Sequence, residues 1–125
     1  LASQPCGASG GPQLRELAIT RTGILCESEY EVIAHKRIGA NVGVSQEKND
    51  ALEVGADADV YDEIEKAVLR FTDEVVTQTR PSDATFNAVR DALSPAALVE
   101  LHIAIGYYIM TSKFLCAFEI DLQTD

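Results

Sequence analysis

An all-α domain is the fold class this sequence predicts. Apolar residues recur at spacings of three and four along most of the chain, with no strand-like alternation of any length. Four segments open on a Ser placed to cap a helix: Ser28, Ser45, Ser82 and Ser94. Gly43, Gly55 and Pro81 sit where such segments should end. The length of 125 residues suits a single domain with an ordinary core.

Taken in order, residues 1–13 are rich in Ser, Gly and Pro. They read as a flexible arm, or an incomplete helix and loop, ahead of a domain spanning 14–125. The first helix is expected over Leu14–Leu25, on the stripe Leu14, Leu17, Ala18, Thr22 and Leu25, with Gly23 weakening its end. Glu16 falls in its first turn, where a carboxylate suits the helix dipole and a solvated charge is the plain reading. The second helix runs from about Glu29 to Val42. Ser28 is its N-cap, Glu31 completes a capping box, and its inner stripe is Val32, His35, Ile38, Gly39 and Val42. A short third helix covers Gln46 to Val54. The fourth, Asp59 to Thr79, buries Val60, Ile64, Ala67, Val68, Phe71, Val75 and Val76 behind a solvated charged face. The fifth, Asp83 to Leu93, buries Phe86, Val89 and Leu93. The sixth starts at Ser94-Pro95, cap then Pro at N1, and runs to about Phe118. It is apolar nearly all round, with only Glu100, His102 and Lys113 able to carry charge. Its length approaches a membrane span, but charge and hydroxyls interrupt it. A helix apolar on every face must be covered on every face. This chain has few helices to do so, and a second subunit is expected to supply the rest.

Composition narrows the function. The formal net charge of −10 argues against nucleic acid and anionic membrane surfaces as partners. It leaves room for a small anionic substrate at a locally positive site. Cys6, Cys26 and Cys116 form neither a CxxC nor a zinc pattern, and no secretory signal is visible, so free thiols in a reducing, cytoplasmic setting are expected. The Gly7–Gly11 stretch lacks the Lys-Ser/Thr of a phosphate loop, and no GxSxG occurs. His35 and His102 make no metal pattern, and no metal or other cofactor is expected.

What remains is acid/base chemistry. Glu31 and His35 are four apart and share a helix face beside a capped start. A carboxylate orients an imidazole that can pass a proton to or from carbon. The same letters also describe a well-capped helix with a hydrogen-bonded core histidine. Cys26, two residues before the cap, is either a weakly activated thiol or a small buried hydrophobe. His102, Tyr107 and Tyr108 are pocket, core or interface residues.

The order of these segments resembles a known family. Leu14-Arg15-Glu16-Leu17-Ala18-Ile19-Thr20-Arg21, then Ser28-Glu29-Tyr30-Glu31 with His35, then Gly43-Val44-Ser45, look like the carboxymuconolactone decarboxylase family, which shares its fold with the AhpD alkylhydroperoxidases. The likeness continues through residues 67–74, Leu98-Val99-Glu100-Leu101 and Gly106-Tyr107-Tyr108. Redox-active members carry a Glu, eleven residues, then Cys-x-x-Cys-x-x-x-His. Here those positions hold Glu16, Ser28, Glu31 and His35, so both thiols are missing and thiol–disulfide exchange has no sulfurs to use at this site. Val32 stands where many members carry Trp. The resemblance implies an AhpD-like fold of about six helices, assembled as a homotrimer or homohexamer. It implies decarboxylase-like proton chemistry without a cofactor on a small carboxylated lactone. His35, Glu31 and Glu16 would be catalytic, with Ser28, Tyr30, Cys26, His102 and Tyr107 near the substrate. Two alternatives stay open: a thiol peroxidase using Cys26, and a catalytically silent oligomeric member.

Overall fold

The structure, a computed structural model, describes residues 5–120, with side chains from Gly11 onward. Among these residues the chain forms six α-helices: α1 (Pro5–Leu25), α2 (Glu29–Asn41), α3 (Gln46–Asp50, running into a 3₁₀ turn at Ala51–Glu53), α4 (Glu63–Thr77), α5 (Asp83–Ala92) and α6 (Pro95–Ala117). Ser28, Ser45, Ser82 and Ser94 each cap a helix by accepting from a backbone N–H three residues on. Residues 5–13, expected as a flexible arm or as an incomplete helix and loop, form the continuous helical start of α1. Pro12 is accommodated inside the helix, where its missing N–H removes one hydrogen bond. Residues 1–4 of the expected arm lie outside the described residues. The fourth helix begins later than expected, because Asp62 and Glu65 build a reciprocal capping box that sets its start.

Helix α1 is the axis of the fold, packing against α2, α4 and α6. Its consecutive residues Leu17 and Ala18 feed two apolar clusters. Ala18 joins Val68, Phe71, Val89, Leu93, Leu101 and Ile105, and Leu17 joins Val44, Leu52, Ala56, Tyr61 and Leu69. Burying each large side chain of this kind contributes roughly 1.5–3 kcal/mol. Arg21 locks the arrangement. Its Nε donates to Asp73 Oδ1 at 2.8 Å and its Nη1 to the Leu52 carbonyl at 2.8 Å, joining α1 to α4 and the 3₁₀ turn. Gly55 lets it in: its φ of +90° suits glycine, and a Cβ there would lie 3.0 Å from the guanidinium carbon.

The apolar stripe expected to bury α2 is turned differently. Ile38 and Val42 are exposed, and the buried residues are Glu31, His35 and Gly39. The helix buries polar groups and leaves its larger aliphatic ones at a cleft. Phe86 and Ile64 are also exposed rather than inner. Helix α6 buries only Leu101, Ile105 and Ser112, while Val99, Ile103, Tyr107, Met110, Phe114 and Phe118 stand exposed along one face. No helix among the described residues is long and apolar enough to cross a membrane.

Candidate active site

The end of α1 determines how Glu31 is used. Glu27 adopts φ +59°, its N–H donates to the Ile24 carbonyl, and the Ser28 N–H donates to the Gly23 carbonyl at 2.9 Å. This is a Schellman ending with Glu27 in the left-handed position. It consumes the Ser28 N–H that Glu31 would need for the second half of a capping box. Only the first half forms, with the Glu31 N–H donating to Ser28 Oγ at 3.5 Å. The Glu31 carboxylate is thereby left to His35 rather than to the cap. Gly23 has its own part: a Cβ there would lie 3.3 Å from Glu31 Cβ and 3.3 Å from Val32 Cγ2. The glycine that weakens α1 as a helix lets α2 close on it at this point.

Three side chains converge as a result. His35 Nδ1 lies 2.6 Å from Glu16 Oε1, and His35 Nε2 lies 3.2 Å from Glu31 Oε1. All three residues are buried. Glu16, expected as a first-turn surface charge, is deep within α1 because the helix starts further back. Both ring nitrogens thus face a carboxylate, one from each of two helices. The arrangement can satisfy both N–H groups of an imidazolium, or one N–H together with a protonated carboxyl, and so it can store and pass a proton. Because the carboxylates sit on opposite ring edges, the three donors do not aim at one point. Consistent with this, no group of three or more His, Cys, Asp or Glu side chains among the described residues is placed to hold a metal ion.

Tyr108 of α6 closes the third side, its ring edge-on to His35 with centroids 4.9 Å apart. Burial, then the nearby Glu31 and Glu16 carboxylates, push its phenol above the ordinary value. Sequence reasoning favoured its neighbour. Tyr107 is exposed and meets the Tyr108 ring, with centroids 5.0 Å apart.

A cleft of about 480 Å³ opens beside this cluster, between α1, α2 and the start of α6. Its wall is mostly aliphatic, including Leu14, Ile38, Val42, Val68 and Leu101, with Arg15, Glu16 and Glu100 as its charged members. Glu16 therefore touches both the cleft and His35. His35 and Glu31 line neither this cleft nor a shallower hollow beside Ser28 and Val32.

The other candidates lie apart. His102 is exposed and edge-on to Phe71 at 6.1 Å. Tyr30 is half-buried and lines neither cleft. Ser28 caps α2 and borders the shallow hollow. Cys26 is half-buried at the end of α1, where burial pushes its thiol up and Lys113 offsets part of the rise. Cys116 Sγ lies 3.6 Å from the Glu27 carbonyl oxygen.

An all-α fold built around a buried Glu–His–Glu cluster defines the class. Residues 7–74 match the model of the carboxymuconolactone decarboxylase family, and the chain belongs to that family. A solved structure from Agrobacterium tumefaciens, described as a protein of unknown function and provisionally as the antioxidant defence protein AhpD, shares its fold. The TM-score is 0.84 at 22% sequence identity, covering 90% of this chain and 78% of that one. No curated protein matches the chain.

Proposed function

We propose that the chain is an acid/base enzyme that protonates carbon as a small carboxylated lactone-type substrate loses CO₂. The observation that carries this reading is the buried Glu16–His35–Glu31 cluster, with Glu16 alone reaching the cleft. In the reaction the C–CO₂ bond breaks, and its electron pair is delocalised toward the lactone carbonyl. Glu16 delivers a proton to the carbon next to the lactone carbonyl, and His35 resupplies Glu16 across the 2.6 Å Nδ1–Oε1 contact. Glu31 holds the ring from its far side. The aliphatic wall keeps the developing carbanion away from bulk water.

The thiol-peroxidase alternative has less support, since the raised Cys26 thiol disfavours the reactive thiolate. A silent binding protein is the stronger rival, because His35 lies behind Glu16 rather than at the cleft wall. The proposal includes self-association through the exposed apolar face of α6, a cytoplasmic setting, and neither nucleic acid nor a membrane as partner. Assaying CO₂ release from a panel of carboxylated butenolides tests the enzyme reading. Turnover by the wild type, reduced about 10²–10⁴-fold in His35→Gln, is expected. Turnover unchanged in His35→Gln refutes it, and no turnover across the panel favours the silent reading.

A further inference from the structure

We propose that Arg15 anchors a carboxylate in the cleft, placing a bound acid with its charged group at Arg15 and its body along the aliphatic wall toward Glu16. The inference rests on the reading of Glu16 as the proton-delivering group. Arg15 is the one basic residue among those lining the cleft. The ion pairs among the described residues are made by Arg21, His35, Lys36, Lys48, Arg80 and Arg90, and none by Arg15. Arg15 is exposed and borders the cleft. Its charge is felt at the site, where it lowers the Tyr108 phenol against the opposite pull of Glu31 and Glu16.

Electrostatics favour such an anchor. The chain carries −10 overall, and the cleft itself presents Glu16 and Glu100. An anionic ligand entering an apolar cleft with two carboxylates on its wall is repelled unless a cation meets it. A guanidinium fork matches a carboxylate with two parallel N–H···O bonds, which fixes orientation as well as charge. Arg15 and Glu16 are consecutive, so their Cα atoms are about 3.8 Å apart. Both residues border the same cleft, so one ligand can meet both. A volume of about 480 Å³ admits a small ring with one or two substituents.

The test reads binding alone. The ¹⁵N-labelled full chain is titrated with benzoate and phenylacetate, and separately with benzamide and phenylacetamide, while the backbone signals of Ile38, Val42 and Leu101 are followed. Each acid is expected to shift these signals and to bind at least about tenfold more tightly than its amide. Arg15→Gln should lose that selectivity for the acid without changing amide binding, and Arg15→Lys should recover part of it. Unchanged thermal melting of Arg15→Gln confirms that the fold is intact. Equal binding of acid and amide, wild-type acid affinity in Arg15→Gln, or no shift at the cleft signals overturns the proposal. His35→Gln should keep the acid selectivity, so failure of the anchor and failure of the proton-transfer reading give different results.

Discussion

Replacing His35 by Ala isolates the energetic role of the cluster. The side chains of His35, Glu16 and Glu31 are all less than one-tenth exposed, and the ring is the shared partner of both carboxylates. Removing it deletes two polar contacts and leaves two carboxylates buried across an empty space. Breaking a buried ionic pair on one side costs about 3–5 kcal/mol. The cavity left by the ring adds to this, while water entry from the nearby cleft subtracts from it. A loss of about 3–5 kcal/mol is a large share of a total stability of about 5–15 kcal/mol. Urea unfolding followed by circular dichroism measures it, as a lower midpoint with an unchanged slope. His35→Gln, which keeps a donor and much of the volume, should cost less than His35→Ala. A His35→Ala loss under about 1 kcal/mol would show that the carboxylates do not depend on the ring, and the site geometry would be wrong.

Other predictions concern groups around this centre. The Tyr61 hydroxyl donates to the Lys48 carbonyl at 2.6 Å, and burial, followed by the neighbouring Glu65 carboxylate, pushes its phenol up to about 12. Its contribution to stability is present below the usual phenol value of about 10 and is lost as pH rises through about 12. Spectrophotometric titration should therefore show a late step that Tyr61→Phe removes, with a stability cost of about 1 kcal/mol. Of the two thiols with described side chains, exposed Cys116 should react with a disulfide reagent well before half-buried Cys26, as mass mapping of partially labelled protein will show. Ile103→Asp, in the exposed apolar stripe of α6, should shift sedimentation toward the monomer without lowering the melting temperature, if that face joins subunits.

The capping serines were legible because a cap is a local device, a side chain bonding a backbone group three residues on. The start of α4 was not. Apolar Val60 extended the periodic pattern backward past Asp62, and the Asp62–Glu65 box that fixes the boundary competes with that pattern. On α2 the periodicity pointed to Ile38 and Val42, whereas the face against α1 is polar, so hydrophobicity could not reveal it. The four-residue spacing of Glu31 and His35 was the usable signal, and the fold realises it as a 3.2 Å contact between Glu31 Oε1 and His35 Nε2. Glu16 entered only through the family likeness. No local feature shows that a residue 19 positions before His35 will meet its ring. Choosing between Tyr107 and Tyr108 was beyond pattern, because a helix apolar on every side has no preferred face and neighbours differ by about 100° around the axis. The Ser28 N–H was claimed by the end of α1, a tertiary detail that decides what Glu31 does.

In the proposed mechanism Glu16 and His35 move a proton to carbon. Incubating the protein with a carboxylated butenolide in D₂O and following deuterium at the carbon next to the lactone carbonyl by NMR tests this directly. The wild type should incorporate deuterium, and Glu16→Gln and His35→Gln should each slow incorporation by about 10²–10⁴-fold while remaining folded. Incorporation at the wild-type rate in both variants would contradict that mechanism.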